Sequence, residues 1–159
     1  MITMHEPTSR DILQVAAHIT PEEQVEMDAF PGLGRNNVEK LAQSIKHSEF
    51  AWAVRDGDRC LCIFGCVGAD NCGVIWMIST NQLKSHRVKL HKWAKAFIGA
   101  MHEKWTTLHN VVHEDNIKTQ RWLESLGFHV ERGNRHQYGP HYETFFQFRK
   151  DYSPCVHQP

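Results

Sequence analysis

The sequence has no charge imbalance: Lys+Arg and Asp+Glu each total 18, so net charge gives no reason to expect nucleic acid or an anionic membrane as partner. It has no apolar run of the roughly 18 residues that a membrane-spanning helix needs. Met1 to Arg10 contain no apolar stretch of the kind a secretion signal requires, and no internal repeat or domain linker interrupts the chain. No C-x2-C knuckle occurs. Cys60, Cys62, Cys66 and Cys72 run C-x-C-x3-C-x5-C, which argues against structural zinc and for buried reduced thiols in a cytosolic protein. No metal site is expected. What is present is 159 residues with 41% hydrophobic content, enough for one domain with a sizeable core. The twelve histidines add positive charge below about pH 6.5.

The first third reads as helices. Thr8-Ser9-Arg10-Asp11 has capping-box spacing, followed by Ile12, Leu13, Val15, Ala16 and Ile19 as an apolar face. Thr20-Pro21-Glu22-Glu23 is a second start, with a cap, Pro at the first helical position and acids in the first turn. Pro31-Gly32-Leu33-Gly34 breaks that helix, and Asn36 or Asn37 opens a third carried by Val38, Leu41, Ala42 and Ile45. Phe50 to Arg55, the turn Asp56-Gly57, and Arg59 to Cys66 form a hairpin pattern. Gly73 to Thr80 is a nearly continuous apolar run suited to a doubly buried strand. A long helix is expected from about Ser85 to Trp105, then a short strand from Leu108 to His113.

Asn116 to Phe128 is a punctuated helix: Asp115 or Asn116 as cap, an apolar side of Thr119, Trp122, Leu123 and Leu126, and a Gly127 stop with Phe128 folding back. Strands at Phe128 to Arg132 and Glu143 to Phe148 follow, separated by a polar loop, Gly133 to Tyr142, that carries His136 and His141. Residues 1–150 form one α/β (α+β) domain in this reading, and 151–159 a loose tail. A ligand crevice is expected outside the strand ends near residues 79–86 and 112–116.

This element order, closing on Asn116…Leu126-Gly127-Phe128, resembles the GNAT superfamily of N-acetyltransferases. The resemblance implies a mixed, mostly antiparallel central sheet flanked by helices. Gly73-Val74-Ile75-Trp76-Met77-Ile78-Ser79-Thr80-Asn81-Gln82-Leu83, the basic helix after it and the late Trp122-Leu123…Gly127 helix are more narrowly similar to a group of small phage proteins of this fold. That group is the internal virion protein A of short-tailed, autographivirus-type phages.

In GNAT enzymes the pyrophosphate of acetyl-CoA sits on a turn of the form Gln/Arg-x-x-Gly-x-Gly/Ala, where missing Cβ atoms let backbone amides reach the phosphates. The matching turn is Gln82-Leu83-Lys84-Ser85-His86-Arg87, with Ser85 and Arg87 at the glycine positions. If acetyl-CoA binds, the resemblance implies Ser79, Gln82, Lys84, Ser85, Arg87 and Asn116 as its contacts, with Lys84, Arg87 and Lys89 supplying charge in place of backbone. The family's tyrosine acid, seven residues after the helix-opening Asn, is replaced by Leu123. Glu114, His113 and His109 are the candidate bases near the strand before that helix.

Lys84, Arg87, Lys89, Lys92 and Lys95 concentrate positive charge on one element and form a candidate interaction surface. Trp76 and Trp93 flank the would-be cofactor cleft in sequence, and large side chains filling it would exclude a pantetheine arm. The departures at 85, 87 and 123 favour a scaffold with impaired or absent acetyl-CoA chemistry, and the narrower resemblance implies a phage virion-assembly or host-interaction protein. On that first reading it needs no cofactor, binds a phage or host protein, and resides in the host cytoplasm or packaged in the virion. The alternative is an acetyl-CoA-dependent N-acyltransferase acting on a protein or small amine. A third is a nucleic-acid-binding accessory protein working through the same cations.

Overall fold

The computed structural model describes residues 1–152. The chain runs β1 (Ile2–His5), α1 (Ser9–Ala17), α2 (Pro21–Asp28), a 3-10 turn, α3 (Asn37–His47), β2 (Phe50–Asp56), β3 (Arg59–Ala69) and β4 (Cys72–Ser79). A 3-10 run (Asn81–His86) then leads into α4 (Arg87–His102), β5 (Thr107–His113), α5 (Ile117–Ser125), β6 (His129–Tyr138) and β7 (Glu143–Asp151). One seven-stranded sheet has the order β1-β2-β3-β4-β5-β7-β6, and β4–β5 is its only parallel pair. The expected mixed, mostly antiparallel sheet flanked by helices is the architecture observed.

The capping signals translate directly into helix starts. Thr8 and Asp11 form a reciprocal capping box on α1, Thr20 accepts from the Glu23 N–H with Pro21 leading α2, and Asn36 and Asn116 cap α3 and α5. Val15 and Leu41 of the N-terminal helices pack with Ala53, Cys60 and Ile63. Ile98 and Met101 of α4 and Leu123 and Leu126 of α5 pack with Leu108, Val112, Phe146 and Phe148. Cys60, Cys62 and Cys66 are buried free thiols, and burial pushes Cys60 and Cys66 up to about 12, out of the range of thiolate chemistry.

Three parts differ from the sequence reading. β1, a four-residue edge strand, is too short to show alternation. The expected polar loop from Gly133 is strand as far as Tyr138. β6 is the outer strand of the sheet, so water rather than core sets its composition, and a bulge between Glu131 and Arg135 breaks the alternation. The expected tail begins inside the fold: Asp151 ends β7, and the Tyr152 N–H donates to the Thr106 carbonyl at 2.7 Å. Residues 153–159 of that expected tail lie outside the described residues. Among the described residues, no helix is long and apolar enough to cross a membrane.

Candidate active site

β4 and β5 pair over only three positions, Cys72 with Thr107, Gly73 with Leu108 and Val74 with His109, and then part. Asn110 sits at the vertex of the resulting V. Its Nδ2 donates to the Ile75 carbonyl at 2.6 Å and its Oδ1 accepts from the Val111 N–H at 2.8 Å, so one side chain replaces a missing rung of ladder on both arms. Strand alternation fixes which backbone groups face the gap. On β4 they belong to Ile75, Met77 and Ser79, because Thr80 turns its N–H to Leu61 of β3. Ile75 is bonded to Asn110, whereas the Met77 N–H and C=O bond to no other described residue.

The mouth of the V is spanned by two carboxylates from one face of α2. The Ser79 N–H donates to Glu23 Oε2 at 2.7 Å, and the Ser79 hydroxyl donates to Glu23 Oε1 at 3.0 Å. One turn later, Glu26 Oε1 accepts from the His113 N–H at 3.0 Å and from Asn116 Nδ2 at 3.1 Å. The i, i+3 spacing places Glu23 on the β4 arm and Glu26 on the β5 arm. Glu23 is buried, whereas Glu26 keeps part of its surface exposed, and no described residue donates to its Oε2.

Neither carboxylate has a cationic side chain bonded to it among the described residues. Burial therefore dominates: it pushes Glu23 up to about 8 against the pull of its hydrogen bonds from Ser79, with Glu26's charge adding to the rise. Glu26 is also raised, again chiefly by burial. Unpaired buried carboxyls with raised pKa values at a gap between strands are features of a working site more than of a structural one.

The base candidates named from sequence fall unequally around this mouth. His113 is buried beside it, but both ring nitrogens are engaged. Nδ1 accepts from the Asp115 N–H at 3.1 Å, so the proton is on Nε2, which donates to Glu143 at 2.6 Å. The ring also packs edge-on against Phe145. His109 lies at the closed end of the V, in register with Val74 and Arg149. Glu114 follows β5, its backbone tied to Thr144 and Gln120.

The six expected cofactor contacts divide into two groups. Ser79 and Asn116 meet the same helix, α2, through Glu23 and Glu26. Lys84, Ser85 and Arg87, with Ile2 of β1 and Lys89, line a shallow surface depression of about 380 Å³. Gln82 is exposed on the 3-10 run, its carbonyl accepting from the Ser85 hydroxyl at 3.1 Å. Arg87 is exposed and does not plug the turn. No side chain caps the first amides of α4. Lys84, Arg87, Lys92 and Lys95 make no ion pair among the described residues, and Lys89 lies over the Trp93 ring at 5.2 Å.

The tryptophans do not fill the V. The Trp76 indole folds back over Gly65 of β3, where a Cβ would come within 2.9 Å of the ring, and its Nε1 donates to Ser48 at 2.7 Å. Trp93 packs with Val54, Leu61 and Cys62, away from β5. Leu123, at the position of the expected acid, is buried in the core under α5. Glu23 and Glu26 themselves are absent from the sequence-derived site. Their one visible signal is a pair of acids three apart on α2, a helix with little apolar surface, but Glu23 there reads as a first-turn capping acid.

No family model matches the chain, and no curated protein sequence matches it. Solved structures do. An N-acetyltransferase from Staphylococcus aureus superposes with a TM-score of 0.63 at 14% identity, over 95% of this chain and 97% of that one. A GNAT-family acetyltransferase from Streptococcus pneumoniae gives 0.58 at 11%, over 96% and 100%. A ribosomal-protein-alanine N-acetyltransferase from Brucella melitensis gives 0.65 at 10%, over 94% and 99%. At these identities the likeness is one of fold: the chain has the GNAT fold along nearly its whole length.

Proposed function

We propose that the protein is an acyl-CoA-dependent N-acyltransferase whose working centre is the mouth of the β4–β5 V. The observation that carries this is Glu26: Oε1 is pinned by two donors, Oε2 is left open, and the carboxyl's proton affinity is raised by burial. A carboxylate so placed accepts a proton from an incoming ammonium group at its free oxygen. Asn116 and the His113 backbone hold it in position, while His113 Nε2–H and Glu143 tie the β7 start to the end of β5.

The chain offers acetyl-CoA a fitting seat in two places. The unbonded Met77 N–H and C=O form a short strand edge suited to an amide-containing arm, and the uncapped start of α4 with Lys84 and Arg87 suits phosphate. Acetyl-CoA, when bound, supplies an acyl group activated as a thioester. With Leu123 in the core, no side chain at that position donates a proton to the departing sulfur. This reading takes up the alternative raised by the sequence; the acetyltransferase structures favour it over the virion reading.

Calorimetric titration with acetyl-CoA tests it. Micromolar binding that Arg87→Ala weakens several-fold is expected; no heat at millimolar ligand defeats the proposal. A second reading, the scaffold-only phage protein that binds a virion or host partner, is favoured by the exposed cations Lys84, Arg87, Lys92 and Lys95, which make no ion pair among the described residues. It requires the chain in purified virions or bound to a host protein without acetyl-CoA. Nucleic-acid binding through the same cations requires an affinity that falls steeply with salt.

A further inference from the structure

We propose that Glu23 is a positioning residue that gates the β4 edge: in the free protein its carboxyl group fills the hydrogen-bonding position at Ser79, and it withdraws when an extended acyl-donor arm lies along that edge. This inference rests on the acyl-CoA reading above.

The backbone groups of β4 that face the gap recur every second residue. Ile75 is closed by Asn110, Met77 is open, and at Ser79 Glu23 takes the N–H while the Thr20 N–H donates to the carbonyl at 3.4 Å. A ligand chain that adds to β4 at Met77 next meets the Ser79 N–H, the last donor before the strand ends. Glu23 Oε2 sits on that donor at 2.7 Å, in the place a neighbouring strand's carbonyl would take. At the Ser79 N–H the edge is thus completed by a side chain, beside the Ile19–Thr20 backbone that closes the carbonyl, and a side chain can leave where a backbone segment cannot.

The surroundings make leaving feasible without moving the helix. α2 is held independently of Glu23: Lys40 Nζ donates to the Met27 carbonyl at 2.7 Å, Gln24 and Asn37 exchange bonds at 3.1 and 2.7 Å, and Glu26 is bonded to the β5 arm. Apart from Ser79, the Glu23 carboxyl has one donor, the Thr20 hydroxyl at 3.3 Å. The ionisable groups that face it are Glu26 on its own helix, Cys62 on β3 and, beyond Glu26, His113 on β5; none is a fixed cation. The seated carboxyl holds its proton up to about pH 8, whereas a withdrawn, solvated one releases it near its ordinary 4.5. Withdrawal therefore releases a proton, and donor affinity is expected to rise with pH across that window.

The test uses the full chain, ¹⁵N-labelled, with acetyl-CoA as probe, followed by amide NMR and calorimetry for wild type, Glu23→Gln and Glu23→Ala. Acetyl-CoA is expected to shift the Ser79 amide resonance. Glu23→Ala, which frees the donor, should bind up to about tenfold more tightly than wild type at low pH, the net worth of one neutral hydrogen bond. Glu23→Gln keeps a neutral acceptor and should bind like wild type at low pH but lose the pH dependence. If acetyl-CoA binds wild type and leaves the Ser79 amide unmoved, or if Glu23→Ala binds no more tightly, the gate is refuted while the acyl-CoA reading stands. No binding by wild type or by Glu23→Ala refutes both. Should Glu23→Ala fail to fold, the wild-type Ser79 shift and the Glu23→Gln pH profile decide.

Discussion

The chain contains the same helix start twice, with opposite electrostatic outcomes. In Thr8-Ser9-Arg10-Asp11 and in Thr20-Pro21-Glu22-Glu23 a threonine caps the helix and a buried acid three residues on bonds back to it. Asp11 reaches Arg55 of β2, whose Nε lies 2.6 Å from Oδ1. Burial alone would raise Asp11, but the bonds from Arg55 and Thr8 outweigh it and hold the carboxyl at about 2. Glu23 meets an N–H and a hydroxyl of Ser79, and no cation among the described residues, so burial wins and the carboxyl rises to about 8. One acid is a fastened strut between α1 and the sheet. The other is a proton-binding group at the mouth of the V. The local motif is shared, and the long-range partner decides what the acid does.

Breaking the fastened acid should cost most. Asp11→Ala leaves Arg55 facing an empty, partly buried site, and a loss of about 3 kcal/mol is expected in urea unfolding at neutral pH. Arg55's partial exposure keeps the loss at the low end of the range for buried pairs. The stability Asp11 confers is present above its ordinary value near 3.8 and is lost as pH falls through about 2, so the variant and wild type should converge in acid.

The next effect belongs to chemistry. Glu26→Gln is expected to lower kcat by on the order of a hundredfold with amine acceptors, leaving acetyl-CoA affinity near wild type. Steady-state assays of thiol release check it, and an unchanged kcat would remove Glu26 as the base.

Glu23→Gln should move stability the other way. The native state holds Glu23's proton up to about pH 8, whereas an unfolded carboxyl releases it near 4.5. Wild-type stability therefore falls as pH rises across that window, by at most about 1.4 kcal/mol per unit, and levels off above it. The variant should lack that slope and exceed wild type by about 1–3 kcal/mol at pH 8 in denaturant titrations. Smallest is the vertex. Asn110→Ala removes one bond from each arm of the V and should cost about 1–2 kcal/mol of unfolding free energy.

The fold was largely legible because its signals are local. Caps at Thr8, Thr20, Asn36 and Asn116 opened the helices they announced, and the run from Gly73 to Thr80 became the strand beside the V. The missed pieces, β1 and the outer part of β6, are edge strands whose composition follows solvent exposure. The site was half legible. Ser79, His113 and Asn116, named from sequence, lie at the mouth of the V, but Glu23 and Glu26 lie some 55 to 90 residues away in sequence and reach it only through tertiary packing. A capping acid bound for an arginine and one bound for a strand edge look alike in sequence, as Asp11 and Glu23 do.

The most direct test is a side-chain carboxyl ¹³C NMR pH titration that follows Asp11 and Glu23 in one sample of the free protein. Midpoints near 2 for Asp11 and near 8 for Glu23 are expected. A Glu23 midpoint at or below its ordinary 4.5 would mean that the carboxyl at the mouth of the V is held as firmly ionised as Asp11, and the distinction between strut and working group would fall.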